Sequence, residues 1–383
     1  MKVYRIILSI LLPILFLQCK VDSKVEGNNM IFSIGFDEDN KFDWPESLRV
    51  EDVFYLNTSD DYLITSVDKV FISEDGKKIA VLDKKLLKVF LFDDTGNTLG
   101  FLDNNGPGPD QYLDASDFLI DFEAGIIEIL DYRKIKSYSL EDFSYLGTID
   151  LSEMEADQNF RYFAKIDEVY FLWTNLPTNQ IDLPENKNYL FHFIKKNGDE
   201  IDYFIPKEYG ILGDQRIYPT GNPNEFNLSP ILGSNEIFGF NKNGVFKKFD
   251  FPFEENNLPR SMLENFYGNE MELIFSPYNK FISNIRETQN HLYFHFLGGS
   301  ESNLFHALFD LDRKEFVSIG QTNGLFPNII FNDSSHFYSF ITPGFLYDYH
   351  SKSKAISEHP ILNHIDMARI EEDDNPVIIK FKL

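Results

Sequence analysis

The chain has 383 residues, a formal net charge of −26 and a single cysteine. A surface this acidic repels nucleic-acid phosphates, so no nucleic acid is expected as a partner, and it repels anionic lipid headgroups as well. With 39 Phe, 19 Tyr and 2 Trp, intrinsic disorder is excluded, because disordered chains lack aromatic and β-branched residues.

Residues 1–18 read as a signal peptide. Lys2 and Arg5 give a positive start, and Ile6–Leu17 is almost wholly apolar, broken by Ser9 and Pro13. The run is too short to span a bilayer, which takes roughly 20 apolar residues. Cys19, the only cysteine, follows two positions later, and a lone cysteine cannot form an internal disulfide. With Leu17 before it, this arrangement resembles a bacterial lipoprotein signal. In such signals the cysteine is acylated and becomes the mature N-terminus; Gln18 here stands where they carry a small residue. Two or three acyl chains anchor stably, since each buried methylene is worth about 0.8 kcal/mol. The expectation is therefore a protein lipid-anchored in the cell envelope, at the outer membrane, facing the periplasm or the cell surface. The polar segment Lys20–Asn29 reads as a tether. Residues 19–49 form the tether and N-terminal segment, and 50–383 are expected to be one domain.

From there short strand patterns alternate with turn signals. Val67–Ser73 is followed by "EDG" and Lys77–Asp83; Leu86–Phe92 is followed by "DDTGN" and Thr98–Leu102. Turns of this kind favour hairpins, because glycine and asparagine tolerate positive φ. The next set is Ser116–Asp121, Gly125–Leu130, Ile135–Leu140 and Tyr145–Leu151, and further hairpins centre on "KKNGDE", "NKNG" and "DLDRKEF". The strands gather in fours over 62–103, 114–151, 160–206, 226–253, 281–320 and 328–349, the last completed by the C-terminus. Six four-stranded groups at this repeat predict an all-β, six-bladed β-propeller of antiparallel blades. Helix is expected at Leu258–Asn269 and, more strongly, at Ile356–Glu372, where Ile361, Ile365, Met367 and Ala368 recur at helical spacing before a closing strand, Val377–Leu383.

Between the first two groups lies "NNGPGPDQY", Asn104–Tyr112. Glycines there permit conformations that a side chain forbids, and prolines fix φ. A stiff crossover from the outer edge of one blade to the inner strand of the next is the expected role. Gly106, Gly108, Pro109, Gln111 and Tyr112 are also the candidates for a ligand-facing loop. This segment resembles the Gly-x-Gly-Pro-Gly-Glu-Tyr signature of a family of six-bladed β-propeller lipoproteins from Gram-negative envelopes. Gly106, Gly108, Pro109 and Tyr112 match it; Asp110 and Gln111 stand where the family has glycine and glutamate. The C-terminal "EEDDNPVIIKFKL" and "NIRETQNHLYFHF", Asn284–Phe296, are similar to further stretches of that family. Its members are similar to NHL and TolB propellers, and the resemblance implies no established activity.

The motifs that suggest chemistry are weak. In "HLYFH" the pattern is that of a strand, with His291, Tyr293 and His295 on one side and Leu292, Phe294 and Phe296 on the other. Histidines four apart on a strand stand ~13 Å from each other, too far to share one metal unaided. "DEDNKFDWPE", Asp37–Glu46, has Phe42 where a calcium loop needs glycine, and Leu48 stands where it needs glutamate. No phosphate-binding glycine loop and no Gly-x-Ser-x-Gly elbow is present. No catalytic residue, metal ligand or cofactor is assigned. The expected function is a binding or scaffold module for an unidentified protein or glycan ligand, with the membrane reached through the lipid anchor. The alternative is a propeller hydrolase, lyase or lactonase acting on glycans or small esters, with calcium in the channel.

Overall fold

A computed structural model describes residues 30–152, 160–174, 189–206, 217–228, 235–259, 261–262, 272–273, 275–299, 301–322, 328–352 and 358–383. Cys19 and the tether lie outside these residues, as does most of Leu258–Asn269.

Six antiparallel sheets form a six-bladed propeller. Blade one is Lys69–Ile72, Lys78–Asp83, Lys88–Asp93 and Thr98–Leu102. Blade two is Asp117–Asp121, Ile126–Asp131, Lys134–Ser139 and Tyr145–Asp150, and blade three is Phe160–Ile166, Val169–Thr174, Tyr189–Lys195 and Glu200–Pro206. Blade four starts earlier than its sequence pattern suggests, with two three-residue strands, Ile217–Pro219 and Phe226–Leu228, before Glu236–Asn241 and Gly244–Asp250. Blade five is Lys280–Glu287, His291–Gly298, Asn303–Asp310 and Glu315–Gly320. Blade six joins both ends of the chain: Asn328–Asn332 and Phe337–Ile341 pair inward of Val377–Lys382, and Arg49–Tyr55 is the outer strand.

The register explains why the ring stays shut. Val53 faces Ile379 and Phe54 faces Ile378, so the C-terminal strand is held from both sides. Such pairing removes the open edge that an unclosed blade would present. Six apolar clusters sit one at each junction between neighbouring blades. The junction across the closure packs Val70, Ile79 and Phe90 of blade one against Phe54, Tyr338 and Ile378 of blade six. Most of the buried phenylalanines work here, between blades. At the blade four–five junction Phe251 lies 5.0 Å from Phe294, and Phe296 stacks on Phe305 at 5.4 Å.

Turn chemistry follows the sequence closely. In "DDTGN" the Asp93 carboxylate accepts the N–H groups of Thr95 and Asn97, and Gly96 takes φ +86°. A Cβ on Gly96 would collide with the Tyr55 carbonyl of blade six, so this glycine is required twice over, by conformation and by contact. The Gly96 carbonyl in turn accepts the Asn57 N–H at 2.8 Å.

Residues 30–48 are not loose. Met30–Ile31 adds a fifth, parallel strand to the outer edge of blade four, and the Phe32 and Ile34 N–H groups continue the ladder to Asp250 and Pro252. Phe36 then packs on Phe253, Phe296 and Phe305, and Phe42 donates its N–H to the Gln321 carbonyl. Trp44 meets Phe381 edge-on at 5.5 Å. The segment straps blades four, five and six before entering the sixth as a strand.

The helix expected over Ile356–Glu372 is corrected. Its described part forms two single 3-10 turns, Leu362–His364 and Met367–Arg369. His359 Nδ1 accepts the N–H groups of Ile361 and Leu362, and Asp366 caps the second turn by accepting from Ala368. Such local side-chain caps compete with a continuous helix. Of the apolar residues at helical spacing, Ile361 and Ile365 are instead buried in the cluster between blades five and six together with Leu362 and Ile370, and Met367 packs partly buried against it. A helix, α1, spans Pro343–Lys352, with proline at its first position, where no N–H is needed.

Candidate functional site

Every blade contributes its innermost strand to a central channel. The wall is made by Lys69–Phe71 of blade one, Asp117 and Leu119 of blade two, Tyr162 and Phe163 of blade three, Ile217–Pro219 of blade four, Arg286 of blade five, and Ile330 and Phe331 of blade six. The wall is mostly apolar, and charge is confined to a few positions. Free space inside is about 50 Å³, room for a few water-sized groups.

Asp117 is the electrostatic centre of this wall. It is 2% exposed. Its Oδ1 accepts from Lys69 Nζ at 2.8 Å and from the Phe118 N–H at 2.9 Å, and its Oδ2 accepts the Phe163 N–H at 3.0 Å. One carboxylate thus joins blades one, two and three, with several donors compensating its burial. Across the channel the Arg286 guanidinium lies 4.9 Å from the Tyr218 ring and donates through Nε to Asn284. Nearer one end, Lys84 Nζ sits 5.4 Å over the Tyr162 ring.

That end is where the blade-to-blade crossovers and the second-to-third strand turns meet, and two aspartates repeat one device there. The Asp83 carboxylate accepts the Thr65 and Ser66 N–H groups, and Asp131 accepts those of Leu113 and Asp114. Each holds the incoming crossover of its own blade. Burial pushes the Asp83 carboxyl up, but the N–H groups of Leu86, Ser66 and Thr65 outweigh it and leave the pKa below the usual carboxylate range. At Asp131 burial prevails and raises the pKa.

The loop Asn104–Tyr112 forms the crossover from blade one to blade two. Tyr112 is fully buried and donates its hydroxyl to the Leu87 carbonyl at 2.7 Å. Gln111 Oε1 accepts the Gly108 N–H at 2.9 Å, a bond that a glutamate would also make. Lys136 Nζ donates to the carbonyls of Pro109 and Gln111, and the Tyr138 hydroxyl donates to the Asp110 carbonyl. Gly106 closes the loop by donating its N–H to the Tyr112 carbonyl. The loop's hydrogen bonds therefore go to its own backbone and to blades one and two. None of Gly106, Gly108, Pro109, Gln111 and Tyr112 lines the channel.

His291–Gly298 is a strand, with Leu292, Phe294 and Phe296 in the blade four–five junction and Tyr293 in the next one. The Tyr293 hydroxyl and His306 Nδ1 are 2.6 Å apart. Asp37 and Glu38 help line a separate cleft of about 370 Å³ with Glu254, Glu255 and Asn279, while Phe42 and Leu48 are buried. Among the described residues no group of three or more His, Cys, Asp or Glu is arranged to hold a metal ion. Lys69, Lys84, Asp117, Tyr162 and Arg286 were not singled out from the sequence. For Lys69, Asp117 and Arg286 the available signal was a charged residue on the first strand of a four-strand group, the strand that must line the channel; Lys84 and Tyr162 carried no such signal.

The model of the family described as "Domain of unknown function (DUF4934)" matches residues 36–382, and the chain belongs to that family. A crystal structure from Bacteroides fragilis NCTC 9343, of a protein designated exported, is similar with a TM-score of 0.70 at 16% identity, covering 93% of this chain and 99% of that one. A member of the DUF4221 family from Bacteroides vulgatus ATCC 8482 is similar with a TM-score of 0.56 at 12% identity, covering 88% and 98%. At these identities the likeness shows the fold. No curated protein matches the sequence.

Proposed function

We propose that this member of the DUF4934 family is an exported propeller, held at the cell envelope by acylation of Cys19, that binds a ligand or protein partner at the mouth of its central channel. The observation that carries the reading is the convergence of all six inner strands on a channel whose few charged groups gather on an otherwise apolar wall. Binding sites have this character: an apolar, concave surface with a small number of polar groups that fix orientation. Export is supported by the apolar run Ile6–Leu17 followed by Cys19, and by the exported designation of the similar protein from Bacteroides fragilis. Ten residues, Lys20–Asn29, separate Cys19 from the strap. Fully extended they reach about 35 Å, enough to hold blade four near a bilayer.

Three measurements test this. Mass spectrometry of the mature N-terminus should find an acylated Cys19, and Cys19→Ala should move the protein out of the membrane fraction. A partner recovered with the wild-type chain should be lost with Lys84→Glu and kept with Lys196→Glu, which changes an exposed surface pair with Glu168. Equal recovery with both variants would refute the channel mouth as the binding surface.

A further inference from the structure

We propose that the channel mouth recognises a monocarboxylate carried on a small planar or apolar body, with Lys84 pairing the carboxylate and Tyr162 supporting the body. This deepens the channel-binding reading and rests on it.

The charge pattern gives the sign of the ligand. Among the described residues lining the channel, three cations, Lys69, Lys84 and Arg286, face two carboxylates, Asp68 and Asp117. The chain as a whole carries −26, so a wall with cations in excess runs against the overall composition. The two carboxylates are already engaged. Asp117 is bound by Lys69 and two backbone N–H groups. Asp68 accepts the Ser66 hydroxyl at 2.6 Å and the Lys84 backbone N–H at 2.8 Å. The Lys84 ammonium is different. Its one contact among the described residues is the Tyr162 ring, and it makes no ion pair there. An ammonium over an aromatic face is held in place but keeps its donors for another group.

The position gives the ligand its size. Lys84 stands in the turn after the second strand of blade one and reaches over to blade three, so it crosses the mouth rather than the floor. The free space that Lys84 helps to line is about 50 Å³, enough for an acid group and little more. Phe71 and Phe331, 5.9 Å apart, and the half-buried Tyr162 offer flat apolar surface beside it. One excess positive charge matches one carboxylate. A phosphate dianion would leave a net negative charge in a partly desolvated site. Low-dielectric walls strengthen the attraction and concentrate anions of the right sign.

The test uses the full-length chain and four probes: benzoate, acetate, benzamide and inorganic phosphate. Binding is read by calorimetry and by saturation-transfer NMR. Benzoate should bind saturably at one site, with benzamide and phosphate weaker by roughly tenfold or more. Lys84→Gln should weaken benzoate by about the same factor while the melting temperature holds, and Lys196→Gln should change nothing. Tyr162→Leu should weaken benzoate more than acetate. The proposal is overturned if benzoate does not saturate, if benzamide binds equally well, or if Lys84→Gln binds benzoate like the wild type. Equal binding of benzamide that is lost in Tyr162→Leu would remove the carboxylate and leave a ligand-binding channel standing. Silence from all four probes would remove the proposal alone, because partner capture tests the channel-binding reading separately.

Discussion

Asn375 Oδ1 accepts the Ile64 backbone N–H at 2.7 Å, tying the last turn of the chain to the segment that enters the first blade. The same side chain donates through Nδ2 to the carbonyls of Asn57 and Tyr62. Its own N–H reaches Thr58 Oγ1. Asn375 is 1% exposed. The Asn-Pro motif before the closing strand therefore has a physical role: its amide satisfies three backbone groups on the far side of the seam. Asn375→Ala strands all three and should cost about 2–4 kcal/mol, since each buried group left unpaired costs ~1–3 kcal/mol. Asn375→Asp keeps the acceptor and loses both donors, so it should rescue little. Urea unfolding measures this, and a loss under about 0.5 kcal/mol, the range of an ordinary surface change, would contradict the assignment.

The closing strand itself should be indispensable. Ile379 is fully buried and pairs with Val53 on one side and Ser339 on the other. Ile379→Ala should cost about 2–5 kcal/mol, from lost burial and the cavity left behind. Deleting Pro376–Leu383 removes the partner of two strands at once. The loss should be comparable to the whole stability margin of ~5–15 kcal/mol, so thermal melting should lose its cooperative transition. A truncated chain that melts at the full-length temperature would contradict closure.

The crossover loop should separate two of its residues by their hydrogen bonds. Tyr112→Phe removes a buried donor from the Leu87 carbonyl and should cost about 1–3 kcal/mol. Gln111→Glu preserves the acceptor for the Gly108 N–H and should stay within about 0.5 kcal/mol of wild type. Chemical denaturation of the two variants side by side would show the difference; equal losses would mean that the loop is held by something else.

Acid should weaken the fold before its carboxylates titrate. Burial, helped by nearby His295, lowers His306 from its ordinary value to about 3, and burial lowers His291 in the same direction. The unfolded chain therefore binds these protons first. Stability is fully present above ~6.5, the unfolded histidine value, and falls as pH drops toward 3, at up to ~1.4 kcal/mol per pH unit for each proton. Glu51, Asp83, Asp93 and Asp333 are lowered carboxylates, and their losses begin only below about 4.5. Between pH 6.5 and 5 the loss of stability should belong to the histidines, with the raised carboxyl of Asp131 acting in the opposite direction, and His306→Gln should flatten it. An unchanged slope in that variant would contradict the buried, neutral His306.

The ring was legible because its signals are local. Turns such as "EDG" and "DDTGN" place strand ends within a few residues, and alternation assigns the faces of His291–Gly298. Closure was legible too, since Val377–Leu383 has nowhere to pair except across the ends of the chain. The helix was misplaced because Ile361 and Ile365 have helical spacing, yet two 3-10 turns, the first preceded by His359 accepting from Ile361 and Leu362 and the second capped by Asp366, leave the same side chains buried. The strap was missed because its contacts, made by Ile34, Phe36 and Phe42, follow the rims of three blades and not any strand or helix period. The contacts across the channel were illegible for a stronger reason. Lys69 meets Asp117 and Lys84 meets Tyr162 only because separate blades converge, and one sequence contains no record of that convergence.

Binding at the channel mouth is the central claim, and site-directed photo-cross-linking in the native cells tests it most directly. A benzoylphenylalanine at position 162, beside Lys84, should give a discrete adduct detected by mass spectrometry. The same group in place of Tyr145, on the exposed outer strand of blade two, should give none. An adduct at 145 with nothing at 162, or no adduct at either position, would contradict it.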